Sequence, residues 1–71
     1  MKKFLVVYEK TSTGYSSYVP DLPGVVATGK TKSITERNIF EAIQFHLEGL
    51  KEEGLPIPKS AAESEVLVFA I

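Results

Sequence analysis

Apolar and polar positions alternate or cluster in five places along the chain, with turn formers between them. Lys3–Lys10 (Lys-Phe-Leu-Val-Val-Tyr-Glu-Lys) is rich in β-branched and aromatic residues and reads as a strand. Thr11–Gly14 are turn formers, and Tyr15–Pro20 reads as the returning strand of a hairpin with a loop of about four residues. Pro20 ends that strand because proline donates nothing to a ladder. Pro23-Gly24 is a turn signal: proline presets φ at the second position of a type II turn and glycine supplies the positive φ at the third. Val25–Thr28 is a short third strand, closed by Gly29.

A helical period follows. Ser33-Ile34-Thr35-Glu36 has the spacing of a capping box, and the pattern runs unbroken to Glu53. Gly54 suits the left-handed residue after a helix end, and Pro56 prevents continuation. At ~100° per residue, Ile39, Phe40, Ile43, Leu47 and Leu50 fall in one apolar arc, the stripe expected to meet a core. Phe45 lies almost opposite Ile43, among Asn38, Glu41 and Glu52. It is either exposed or covered by another chain. Leu55-Pro56-Ile57-Pro58 is extended, since each proline disfavours helix in the residue before it. Glu65–Ile71 reads as a last strand, apolar on both faces.

These elements imply an α+β domain of β-β-β-α-β order spanning residues 1–71. The expected sheet is mixed and four-stranded, in the order 3-2-1-4. One long helix lies on one face, and a right-handed crossover brings the last strand parallel to the first. One helix covers one face only. In the first strand Phe4, Val6 and Tyr8 oppose Leu5 and Val7; in the last, Leu67, Phe69 and Ile71 oppose Val66, Val68 and Ala70. Strands apolar on both faces are normally buried on both. Leaving the second face wet forfeits about 25 cal/mol per Å² of apolar area. A homo-oligomer is therefore expected, a dimer or a dimer of dimers, with Leu5, Val7, Phe45, Val66 and Val68 as candidate interface residues.

Composition narrows the function. A chain of 71 residues supports one marginal core. With no cysteine there are no disulfides or thiolate metal sites, and one histidine makes a structural zinc site untenable. The net charge of −1 disfavours nucleic acid as a partner of the chain acting alone. No segment approaches the ~20 apolar residues of a membrane span, and the run after Lys2-Lys3 is too short for a signal peptide core, so a cytoplasmic protein is expected.

Catalytic patterns are not found. His46, the only histidine, flanks the apolar arc and reads as a half-buried edge residue. The centre of the first strand holds no carboxylate for magnesium, and Glu9, Glu36, Glu41 and Glu65 fall at element ends or on the polar side of the helix. Gly14, Gly24 and Gly29 are isolated turn glycines, not a phosphate loop. A non-enzymatic protein without cofactors is expected.

Three stretches in order now suggest a family: Tyr18-Val19-Pro20-Asp21-Leu22-Pro23-Gly24, then Asn38-Ile39-Phe40-Glu41-Ala42-Ile43 with Leu47–Leu50, then Glu52-Glu53-Gly54-Leu55-Pro56-Ile57-Pro58. Together they resemble the N-terminal domain of the HicB-like antitoxins. The resemblance implies a partial ribonuclease-H-like fold that has lost its nuclease carboxylates. It also implies a partner, a HicA-like toxin of double-stranded-RNA-binding fold that cleaves mRNA with a histidine and is blocked by occlusion. Many members carry a DNA-binding segment after the last strand; none follows Ile71 here, so no C-terminal DNA-binding domain is expected. Candidate toxin contacts are Tyr18, Asp21 and Leu22, which a rigid Pro-flanked loop presents with little ordering cost. For Asp21 a turn-stabilising hydrogen bond is the competing reading. The competing function is a stand-alone nucleic-acid-binding regulator with a basic face of Lys30, Lys32 and Arg37 assembled in an oligomer.

Overall fold

A computed structural model describes all 71 residues. Three strands and one helix follow in order: β1 (Val7–Lys10), β2 (Tyr15–Tyr18), β3 (Val26–Gly29) and α1 (Lys32–Glu52). Both strand pairs are antiparallel and the sheet order is β1-β2-β3. The hairpin turn Thr11–Gly14 is closed on itself. The Thr11 N–H donates to the Gly14 carbonyl at 2.8 Å, and the Gly14 N–H donates to Thr11 Oγ1 at 3.0 Å.

Two expectations about strands need correction. β1 begins at Val7 rather than Lys3, because β2 ends at Tyr18, the partner of Val7. Beyond Tyr18 the chain turns at Pro20 into the loop, so nothing lies opposite Lys3–Val6 on that side. The fourth strand is absent from the sheet. Residues 56–71 make no backbone–backbone hydrogen bond, and Ser64–Ile71 are all exposed. The expected order 3-2-1-4 thus stops at three strands, and β1 is an open edge.

The sheet has two distinct faces. Tyr8, Ser17 and Ala27 form a cross-strand row toward α1, where Ser17 is buried and its Oγ donates to the Ala27 carbonyl at 3.2 Å. Val7, Tyr18 and Val26 form the row on the opposite face, and Val26 stays 65% exposed. The uncovered second face is therefore present, as the alternation of the strands implies.

The helix starts two residues earlier than the capping box suggests. Thr31 is its N-cap: Oγ1 accepts the Ile34 N–H at 3.1 Å, and Thr35 Oγ1 donates to the Thr31 carbonyl at 2.8 Å. Thr31 and Ser33 both carry a capping oxygen. Thr31 takes the position because the backbone at Gly29 packs so closely on the first turn that a Cβ there would sit 2.7 Å from Thr35 Oγ1. That approach draws the helix start up to the end of β3. At the other end Gly54, with φ 69°, completes a Schellman motif. The Leu55 N–H donates to the Leu50 carbonyl and the Gly54 N–H to the Lys51 carbonyl.

The fully buried apolar core is Val19, Leu22, Val25 and Ile39. Three of these four come from the loop between β2 and β3, which acts as a plug under the helix. The helix contributes Ile39 to the core, with Ala42, Ile43 and Leu47 packed against it and Thr35 buried in the first turn. Phe40, placed in the core stripe by the helical wheel, is instead 65% exposed. Phe40 lines an open groove that Phe4, Val6 and Tyr8 also line.

Candidate functional site

The loop Val19–Val25 is built from two back-to-back turns. The Leu22 N–H donates to the Val19 carbonyl at 3.0 Å, and the Val25 N–H donates to the Leu22 carbonyl at 3.1 Å. Pro23 and Gly24 occupy the centre of the second turn, with Gly24 at φ 84°, as a type II turn requires. The three-residue spacing turns Val19, Leu22 and Val25 inward, and Pro20, Pro23 and Gly24 outward. A rigid, Pro-lined surface results.

The candidate contacts separate on this frame. Tyr18 is 41% exposed, beside Val7 and Val26 on the open sheet face. Leu22 is 0% exposed and fills the core, so its inclusion among surface contacts is corrected. Asp21 is half-buried and already engaged. Its Oδ2 accepts the backbone N–H groups of Ala61 and Ala62, each at 3.0 Å. This is a clasp to a segment forty residues away, a role that local turn chemistry does not reveal.

Among the candidate interface residues, Leu5 and Val7 are half-buried, while Phe45, Val66 and Val68 stand 81%, 89% and 94% exposed. A groove of about 450 Å³ opens between β1 and α1, lined by Phe4, Val6, Tyr8, Phe40, Ile43 and Leu47 among others. Lys2 and Lys3 flank one part of it and Glu36 another. Sequence reasoning missed the groove because it assigned Phe40 to a closed core.

Tyr8 sits in this groove. Burial pushes its phenol pKa up from the usual 10.0, and the nearby Glu36 carboxylate adds to the rise. Lys32 Nζ lies 5.2 Å from the centre of the Tyr8 ring, within cation–π range. No three His, Cys, Asp or Glu side chains come together as a metal site. No buried side-chain nitrogen or oxygen lacks a hydrogen-bond partner. No helix is long and apolar enough to cross a membrane. The surfaces on offer are suited to binding chains: an open strand edge, an apolar groove and a bare sheet face.

A family model described as the HicB_like antitoxin of bacterial toxin-antitoxin systems matches residues 4–68. A UPF0150 protein of Thermoplasma acidophilum is 42% identical over 69 residues, covering 96% of this chain and 99% of the relative. An uncharacterized 14.9 kDa protein of Haemophilus phage HP1 is 44% identical over 55 residues, 78% of this chain. This chain spans only 41% of that relative's length. A chain of a solved structure, the HicA3 and HicB3 toxin-antitoxin complex, superposes with a TM-score of 0.65 at 31% identity, covering 83% of this chain and 72% of the other.

Proposed function

The chain belongs to the HicB-like antitoxin family, and from that membership we propose that it is the antitoxin of a toxin–antitoxin pair that binds and occludes a HicA-like, mRNA-cleaving toxin. The observation that carries this reading is its likeness, at 31% identity and a TM-score of 0.65, to a chain from a toxin-antitoxin complex. The physical character of the surface supports it. Val26, Phe40 and Phe45 on the body and Val66, Leu67, Val68 and Phe69 in the C-terminal segment all stand exposed.

In this reading the antitoxin works in the cytoplasm as a homo-oligomer, with Leu5, Val7, Phe45, Val66 and Val68 contributing to the interfaces between copies. Tyr18 on the open sheet face makes direct contact with the toxin, and Asp21 supports the surface through its clasp. The ribonuclease-H-like arrangement is completed only when a strand joins the free edge of β1. Inhibition is steric: the antitoxin covers the toxin's catalytic histidine and denies it RNA. Operator binding is not part of the proposal.

The test is genetic and biochemical. A small basic reading frame beside this gene is expected to arrest growth when expressed, and co-expression of this chain is expected to restore growth and yield a co-purifying complex. Continued arrest with both proteins present and soluble would overturn the proposal.

A further inference from the structure

Three features of the chain are each incomplete, and each has the form of another's complement. The outer edge of β1 has no strand beside it. The groove between β1 and α1 exposes Phe40 and is walled by Phe4, Val6 and Tyr8. The segment Glu65–Ile71 has the residue pattern of a strand yet is bare, with Leu67, Phe69 and Ile71 at 64%, 72% and 116% exposure. Such a segment in water leaves both its apolar side chains and its backbone groups without protein partners.

We propose that residues 65–71 of one copy form an edge strand along Lys2–Tyr8, the stretch that leads into β1, of a second copy, parallel to it, and that the second copy returns the exchange. The lengths agree. Seven residues at ~3.3 Å each span ~23 Å, the reach of Lys2–Tyr8 in an extended strand. The faces agree. With Leu67 opposite Phe4 and Phe69 opposite Val6, both larger side chains enter the groove against Phe40, while Val68 falls beside Leu5 on the bare face. The charges agree. This register sets Glu65 opposite Lys2, with Glu63 at the same end of the edge, where Lys2 and Lys3 line the groove. An antiparallel arm would carry its glutamates toward Glu9 instead.

The exchange is between copies because the chain directs its arm away from its own edge. Asp21 Oδ2 pins Ala61 and Ala62, and an open cleft separates Ser60–Glu63 from Lys3–Leu5. From Ser64 onward every residue is exposed and the chain departs from the body. The molecule is 49 Å long, and its radius of gyration is 14.0 Å where a compact chain of this length has about 11 Å. Each copy thus holds one vacancy and one arm, and a two-fold exchange pairs each arm with a vacancy, leaving neither unfilled in either copy. This inference stands whether or not the toxin reading holds.

The natural absence of cysteine makes the exchange directly testable. Copies carrying Leu5→Cys and copies carrying Val68→Cys are unfolded, mixed, refolded and oxidised. A covalent pair joining one of each, identified by mass, is expected. In the double variant Leu5→Cys/Val68→Cys, the expected product is a covalent dimer closed by two disulfides. A disulfide confined to single monomeric chains would overturn the exchange in favour of self-closure. No disulfide between these positions, in protein shown to be folded by circular dichroism, would overturn the register and the strand with it. As a second arm, the chain ending at Glu63 is expected to lose the dimer while remaining folded; a dimer that persists without residues 64–71 contradicts the proposal. Arm residues that become protected only on addition of a toxin, with the free chain monomeric, would assign the edge to that partner instead.

Discussion

Asp21 and Ala61 are forty residues apart in sequence, and the Asp21 carboxylate accepts the Ala61 backbone N–H at 3.0 Å. The same oxygen accepts the Ala62 N–H. One side chain in the loop between β2 and β3 therefore fixes where the C-terminal arm leaves the body. The loop is a good anchor, because Val19, Leu22 and Val25 on either side of Asp21 are the core.

Removing the carboxylate should release the arm without unfolding the domain. Hydrogen bonds to a charged acceptor contribute about 1.5–3 kcal/mol, less when exposed as the Ala61 bond is. For Asp21→Ala we expect amide exchange at Ala61 and Ala62 to accelerate about 5- to 30-fold, corresponding to about 1–2 kcal/mol. The strand amides of β2 should hardly change. Native-state exchange by NMR checks this; unaltered exchange at both alanines would remove the clasp.

Leu22→Ala should be severe. Leu22 is 0% exposed in a core of four apolar residues, so little surrounding packing can relax into the cavity. A cost of about 2–5 kcal/mol is expected, comparable with the whole stability of a small domain. Thermal unfolding should show a large fall in midpoint or a chain unfolded at 25 °C.

Phe40→Glu probes the groove. Phe40 is 65% exposed within one chain, so its replacement should leave the single-chain fold nearly unchanged, within about 0.5 kcal/mol. A carboxylate facing an arriving Leu67 or Phe69 would lose solvation without gaining a partner. The dissociation constant of the pair should rise at least about tenfold, equal to 1.4 kcal/mol. Sedimentation velocity over a concentration series measures it.

Tyr8 gives an alkaline signature. Its phenol is held above the usual 10.0 in the folded chain, first by burial and then by Glu36. Below pH 10 both folded and unfolded chains keep the proton, and the contribution of Tyr8 is fully present. Above it the unfolded chain releases the proton while the folded chain retains it, so stability falls as pH rises toward the folded pKa. Melting midpoints from pH 8 to 11.5 should decline at the alkaline end, and Tyr8→Phe should flatten part of that decline.

Local chemistry made much of the fold legible. The hairpin with its four-residue turn, the Pro23-Gly24 turn and the Gly54 helix end all follow from residues a few positions apart, and all are found. The helix start was less legible because Thr31 and Ser33 carry the same capping group, and the choice rests on the close contact at Gly29. Leu22 was misplaced on the surface because proline and aspartate neighbours mark a loop, and nothing in that pattern says that the loop plugs the core. Phe40 reads as part of the core-facing helix stripe and Glu65–Ile71 as the fourth strand of the sheet. Their pattern records that these residues need an apolar neighbour, but not which copy of the chain supplies it.

The mass of the intact chain in solution tests the central claim, that one copy is structurally incomplete. Multi-angle light scattering at low micromolar concentration should give about twice the 7.8 kDa of a single chain. A stable 7.8 kDa species whose residues 65–71 are protected from exchange would contradict it.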